Sequence, residues 1–489
     1  MSIDTKRALM RGAFWQLSTR WSIKLLGLVN TAILARLLLP ADYGVIAMSM
    51  MVVGIIGSLL DFGVGSALLR KETLSRDEID SAWSLRIIQG LLVGGLVLLA
   101  APLAAMYFEE PRVLTVLGVL AVCVPISSAG NIGFVLAEKA FDFGLLFRQQ
   151  VYGKLVSVLG AAIGGWIFRD YRALLLGLGA GYLSGLLTSY LMHPYRPRWN
   201  TRELASLWGT SKWLMLGGMG GYILSRGDEL LAARLGSTTD YGQYHVGSDL
   251  GQMPTSEVGP SMLKAFLPVL ASMQGSVDQV NSVVVKALAA VNTVTLPLGL
   301  GFAALATPVT LLMLGPGWVG ASAYLTAFAI FGAISAAGGP LGPLLFYRGH
   351  ARLQTLVVWG QFVVFVFLGG LFYRSDGLLG LVYGRIAGEV LRQACHLYLA
   401  RRHCDLSVRQ CLSALWRPLG GAVLMHGLVS WVDGQLIGVG ASEVARLVFG
   451  VLLGVCVYVL WMLASWRSVG CPAGLEAMAL SLVRRRRFE

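Results

Sequence analysis

The chain has 489 residues, 56% hydrophobic and 13% charged, with a formal net charge of +13 and a mean hydropathy of +0.68. Soluble domains are about a quarter charged, so this balance excludes a cytosolic enzyme, a secreted protein and a nucleic-acid binder despite the basic charge. A bilayer core of about 30 Å takes about 20 apolar residues per helix, and fourteen such helices would leave no room for a soluble domain.

Lys6, Arg7 and Arg11 precede the first apolar stretch, and no short apolar region with a small-residue cleavage site follows, so the first helix is expected to be retained. The apolar segments, punctuated by charges, Gly and Pro, then run 13–38, 44–69, 82–106, 113–137, 148–168, 173–193, 212–233, 242–270, 285–313, 320–346, 353–373, 377–399, 417–437 and 443–466. They predict an all-α integral membrane protein of about fourteen transmembrane helices. The segment 242–270 carries Asp249, Glu257 and Lys264, and passes only as a helix facing a polar interior. The six cysteines are too few and too scattered for a disulfide framework.

Orientation follows from Lys and Arg in the loops. With the N-terminus inside, 22 of them fall on the cytoplasmic side and 6 opposite, which puts both termini in the cytoplasm. The basic charge therefore records topology, and no nucleic-acid partner is expected. The tail Arg484–Arg487 reads as part of the same signal, in reach of anionic membrane lipids.

The segment Ala35–Gly44 (ARLLLPADYG) matches Ala233–Gly242 (ARLGSTTDYG) at six of ten positions, at an offset of 198. Trp15/Trp213 and Leu26/Leu224 match at the same offset, which also lays the first span on the seventh and the second on the eighth. Asp42 and Asp240 are placed to cap the helix that follows, and Gly44 and Gly242 suit the turn. Six spans is an even number, so the two copies share one orientation, as parallel repeats about an axis along the membrane normal. The expected organisation is an N-lobe (1–200, helices 1–6), a C-lobe (201–408, helices 7–12) and two further helices with a basic tail (409–489). The C-lobe begins with an interfacial linker rich in Pro, Arg and Trp, Tyr195–Trp208. Two similar lobes suit an alternating-access transporter. No filter-like loop of a channel and no polar catalytic cluster of a membrane enzyme is found, so no catalytic residue is assigned.

Charges within membrane helices are costly and mark cavities or partners. Arg20 and Lys24 share a face of the first helix; Arg226, Asp228 and Glu229 lie in the seventh; Asp249, Glu257 and Lys264 lie in the eighth. Lys24, Arg20, Arg226 and Lys264 are candidates for a cationic cavity that would take an anionic head group such as a diphosphate. Asp228, Glu229, Asp249 and Glu257 are candidates for binding a coupling Na⁺ or H⁺. Against these stand snorkelling of Arg20 and Lys24 to head groups and a structural ion-pair cluster at Arg226. Arg86, Lys154 and Lys286 fall nearer the cytoplasmic ends, and Arg385 with Glu389 reads as a self-neutralising i,i+4 pair. The glycines of 217–221 are a candidate bend, and those at 160–164 and 177–181 are packing surfaces. Cys395, His396, His403 and Cys404 lack metal-site spacing, and no metal or other cofactor is expected.

The motif Ala35–Gly44, continued by Leu60-Asp61-Phe62-Gly63-Val64-Gly65-Ser66-Ala67-Leu68, resembles the polysaccharide biosynthesis flippases. These are the Wzx/WzxC-like branch of the multidrug/oligosaccharidyl-lipid/polysaccharide (MOP) exporter superfamily. The resemblance is strongest over about residues 10–160. It implies fourteen helices in two lobes and a cationic cavity, for which Lys24, Arg226 and Lys264 are the positions here. It also implies coupling to an ion gradient without an ATP-binding domain. The implied substrate is an undecaprenyl-diphosphate-linked oligosaccharide, moved from the cytoplasmic to the periplasmic leaflet of a bacterial inner membrane. Polymerase and chain-length or export proteins of the same pathway would be its partners. The alternative is a drug or metabolite antiporter of the same superfamily, against which the last two helices weigh.

Overall fold

A computed structural model describes residues 3–71, 73–203, 222, 225–272 and 277–470. Among these residues no strand is present. The helices are α1 (Ile3–Ala35), α2 (Pro40–Leu59), α3 (Val64–Arg70), α4 (Arg76–Phe108), α5 (Arg112–Ser128), α6 (Gly133–Lys139), α7 (Phe143–Phe168) and α8 (Arg172–Met192). After α9 (225–235) come α10 (Thr238–Ser272), α11 (Val277–Ala304), α12 (Ala306–Met313), α13 (Ala321–Ala337), α14 (Leu341–Tyr347), α15 (Ala351–Asp376), α16 (Leu378–Cys404), α17 (Val408–Gly438) and α18 (Glu443–Ser468). Thirteen of the fourteen apolar segments of the sequence fall on one helix or on a broken pair, and the other, 212–233, lies largely outside the described residues. Among the described residues eight helical stretches, one of them α13 with α14, are long and apolar enough to cross a bilayer, and the pair α5–α6, bent by 56°, would make a ninth. The bend carries Pro125, and Asn131 fastens it: its backbone N–H donates to Ser189 Oγ (3.0 Å) and its Oδ1 accepts from the Gly133 N–H (2.8 Å). Leucines of α4 such as Leu91, Leu99 and Leu103 are more than half exposed, as a lipid-facing surface requires.

The order of elements repeats. α2 and α10 start at 40 and 238, 198 apart. The seven-residue helices α6 and α14 start at 133 and 341, and α7 and α15 at 143 and 351, each pair 208 apart. The added residues enter between α11 and α13, where α12 and a 3₁₀ turn (Pro316–Trp318) stand in place of the short link between α4 and α5. The chain forms two compact units, 1–242 and 243–489. The sequence repeat begins its second copy earlier, and α9 belongs with the first unit.

In the first unit α7 lies closely on α8 because small residues meet: a Cβ on Gly164 would stand 2.9 Å from Ala173 Cα. The two copies of the repeated turn also pack on each other there. A side chain on Gly44 would overlap the carbonyl of Thr238, and one on Gly242 would overlap that of Pro40. Each contact maps on the other by the 198-residue offset, which is a local twofold relation. Asp42 and Asp240 occupy the third positions of their helices. Asp42 accepts from the Leu39 N–H (3.0 Å), whereas Asp240 pairs reciprocally with Ser237, which provides the cap.

The described part of the linker, residues 195–203, is not helical; Pro194 breaks the helix before it and Pro197 lies within it. It runs as a strap along the first turns of α4. Tyr195 Oη donates to Asp80 (2.7 Å), the Arg198 N–H donates to Asp80 (3.1 Å), and the Asn200 N–H donates to Ser84 Oγ (2.9 Å). In the second unit α17 packs on α11, and α18 on α17 and α12. Asp433 of α17 and Arg446 of α18 form a buried ion pair at 2.7 Å. The glycines of 217–221, the end of the linker and the tail Arg484–Arg487 lie outside the described residues.

Candidate substrate site

The charged residues singled out in the sequence fall in different surroundings. Arg20 is exposed on α1, next to an exposed apolar stripe of Leu17, Trp21, Leu25 and Val29, and Lys24, one turn on, is half-buried. Arg226 pairs with Glu229 on its own helix, an i,i+3 ion pair. Asp228 and Glu229 are buried, and both act electrostatically on the buried Tyr241 within the same unit. In the second unit Asp249 is exposed, 4.0 Å from His245, and Glu257 is half-buried. The Lys264 side chain lies outside the described residues. The first unit thus brings Arg226, Asp228 and Glu229 together and leaves Arg20 and Lys24 on α1.

Glu389 is buried, but its ion-pair partner is Arg392 rather than Arg385. Gln361 Nε2 and Gln393 Nε2 also donate to it, each at 2.8 Å. Arg385 instead lies over the Phe331 ring, 4.6 Å from its centroid. The i,i+3 spacing won because Arg385 lies near an aromatic ring on another helix, which the sequence does not display.

The structure adds a cavity that the sequence did not indicate. It has a volume of 530 Å³, lies wholly within the first unit, and is walled by α1, α4, α5, α6, α7 and α8. Arg86 of α4 and Lys154 of α7 both line it, among Gln149, Asn131, Ser157 and Tyr182. No carboxylate is among its described lining residues, and neither cation has an ion-pair partner among the described residues. The sequence put both cations near helix ends because the apolar segments begin at 82 and 148. Polar caps start the helices earlier. Ser75 and Glu78 form a capping box before α4, and Asp142 caps α7 by accepting from the Leu145 N–H (3.2 Å). At 1.5 Å per residue, Arg86 lies about 15 Å and Lys154 about 16 Å along helices that start on the same side. The signal available in the sequence was the face Gln150, Gly153, Lys154, Ser157, spaced i, i+3, i+4, i+7 and polar or small throughout.

Two cavities in the second unit differ in kind. One of 310 Å³ between α10, α11 and α13 has no charged side chain among its described lining residues. The other, of 430 Å³, is lined by apolar residues of α11, α12, α17 and α18, among them Phe302, Leu305, Met425 and Val451.

Comparison with known proteins places this architecture. The chain is 21% identical to the lipopolysaccharide biosynthesis protein WzxC of Escherichia coli (strain K12) over 445 residues, covering 89% of this chain and 90% of that one. It is 21% identical to the succinoglycan biosynthesis transport protein ExoT of Rhizobium meliloti (strain 1021), covering 95% and 94%. Among solved structures, the inward closed conformation of the lipid II flippase MurJ matches with a TM-score of 0.73 at 13% identity, covering 94% of this chain and 99% of that one. An inward-facing multidrug resistance MATE transporter of the MOP superfamily matches with a TM-score of 0.60 at 15% identity, covering 78% and 94%. The family described as polysaccharide biosynthesis protein matches residues 33–323, more than half of the chain. With its repeated order of helices, its broken spans and this match, the chain belongs to the polysaccharide biosynthesis protein family.

Proposed function

We propose that this multi-pass membrane protein is a flippase that carries lipid-linked oligosaccharide units across the bilayer for polysaccharide assembly. The observation that carries the reading is family membership in a chain whose described helices repeat as two sets. Polysaccharide biosynthesis in such a chain is a step within the membrane, and paired helix sets suit alternating access. The apolar cavity beside α17 and α18 has the character that a prenyl chain requires.

Its finer parts belong to the same reading. The carrier is undecaprenyl diphosphate, the membrane is the bacterial inner membrane, and both termini are cytoplasmic. Transport is driven by Na⁺ or H⁺, with Asp228, Glu229, Asp249 and Glu257 as candidate ion ligands. Lys24, Arg20, Arg226 and Lys264 are candidate contacts of the head group. Polymerase and export proteins act on the product.

Deletion of the gene tests the reading. Lipid-linked oligosaccharide should accumulate in the cytoplasmic leaflet and polymer should disappear from the surface, both restored by the wild-type gene. Normal polymer with new drug sensitivity would instead establish the antiporter.

A further inference from the structure

We propose that the cavity of the first unit, with Arg86 and Lys154 in its wall, is a binding site for the phosphate-bearing head of a lipid. This rests on the flippase reading for its biological meaning, but the chemistry stands on the cavity itself.

Two cations line one cavity of 530 Å³ with no carboxylate among the described lining residues. A charge within a membrane helix is costly unless it meets water, a partner or a ligand. Two other cations of the described residues are neutralised by carboxylates: the half-buried Arg392 has Glu389, and the buried Arg446 has Asp433 and Glu443. Arg86 and Lys154 are therefore charges in want of an anion. The two lie at about the same distance along α4 and α7 from the side on which both helices begin, about 15 and 16 Å. An anion between them can be met from two walls at once.

The rest of the lining chooses among anions. Gln149, Gln150, Ser157 and Tyr182 bring amides and hydroxyls that donate hydrogen bonds. Arg presents a planar fork of N–H donors and Lys a point charge, the pair of groups that a phosphate with several anionic oxygens engages best. Gly153 and Gly185 line the same space, and a Cβ on either would meet nothing within 4 Å. The cavity is thus kept open by small residues on α7 and α8. The shared chemistry is a phosphate ester on a lipid; its two sources are the diphosphate of a polyprenyl carrier and the head of a bilayer phospholipid.

The experiment uses the full-length protein in nanodiscs of zwitterionic lipid. Binding of polyprenyl diphosphate and of phosphatidylglycerol is measured for the wild type, Arg86→Gln, Lys154→Gln and Gly153→Leu. The last variant keeps both charges and fills the space, so loss of binding in it reports the cavity and not the charge alone. Circular dichroism and size exclusion select variants that fold; Gly153→Leu replaces a helix glycine and should fold.

The expected result is a loss of at least about tenfold in affinity in each variant. If the loss is confined to polyprenyl diphosphate, the site holds the transported head. If it is confined to phosphatidylglycerol, the site holds a bilayer lipid. Wild-type affinity for both ligands in all three variants overturns the proposal. A parallel flipping assay on the wild type separates the two readings. Binding that depends on Arg86 and Lys154 without flipping keeps the site and rejects the flippase, whereas flipping with unchanged binding in the variants does the reverse.

Discussion

At the scale of single residues, the loop between α4 and α5 shows how charge fixes a turn. Arg112 Nη2 and Nε donate to the two oxygens of Glu110 at 2.8 and 2.9 Å, and Thr238 Oγ1 donates to the same carboxylate at 2.9 Å. Next to it Arg234 pairs with Glu109 at 2.9 Å. The hydrogen bonds from Arg112 hold the Glu110 carboxyl down to about 2 against the opposing effect of its burial. A carboxyl lowered in the folded state stabilises above its unfolded value of about 4.5 and loses that contribution as pH falls toward about 2. The turn 236–242 should therefore hold its protection from hydrogen exchange above about pH 4.5 and lose it progressively as pH falls toward about 2. Glu110→Gln should expose it at neutral pH, read by the same exchange measurement; unchanged protection in that variant would reject the latch.

The candidate charges show where a sequence stops. Arg226 and Glu229 were legible as a cluster because i,i+3 neighbours on a helix meet whatever surrounds them. Arg86 and Lys154 were not, since no carboxylate lies three or four residues from either on its helix. Only the one cavity that residues of α4, α7 and α8 line together gives them a common role.

At the scale of elements, apolar runs placed thirteen of the fourteen segments on described helices, because apolar length is a local property. The breaks were less legible. Gly63 adopts φ 60° between α2 and α3, and Asp61 accepts its N–H at 2.9 Å, so the Asp-Phe-Gly of the motif is a helix break. The break at 129–132 depends on Asn131 reaching Ser189 and Tyr195, partners about sixty residues away.

The repeated turn was legible as a match of residues but not as a contact. Gly44 and Gly242 are there because each faces a carbonyl of the other copy. Gly44→Ala and Gly242→Ala should each force the turns apart. The expected outcome is faster hydrogen exchange at 38–44 and 236–242 and at least about a tenfold slower transport rate, because backbone cannot yield as a flexible side chain can. Gly57→Ala, on the same helix with nothing within 4 Å, is the control and should be silent. Equal behaviour of all three would show that the close approach does not matter.

At the scale of the whole molecule, the low charge content first indicated only that the chain was mostly membrane. The repeat then divided it, and the structure sharpened the offset from 198 at α2 and α10 to 208 at α7 and α15. The lysines and arginines carry a separate message, the 22 to 6 bias between the two sides. Green fluorescent protein fused after residue 142, 203 or 407 should fluoresce, and alkaline phosphatase should be active after residue 110, 170 or 440. The reverse pattern would invert the topology and with it the direction of transport.

The most direct measurement of the central claim is lipid flipping by the purified protein in proteoliposomes. A polyprenyl-diphosphate oligosaccharide with a fluorescent sugar is placed in both leaflets, and a membrane-impermeant quencher is added outside under an imposed Na⁺ or H⁺ gradient. With a flippase present, fluorescence protected from the quencher should fall from about half toward zero as inner-leaflet lipid is exchanged outward. Protection that stays at the level of protein-free liposomes, with the protein folded and either gradient applied, would contradict the account.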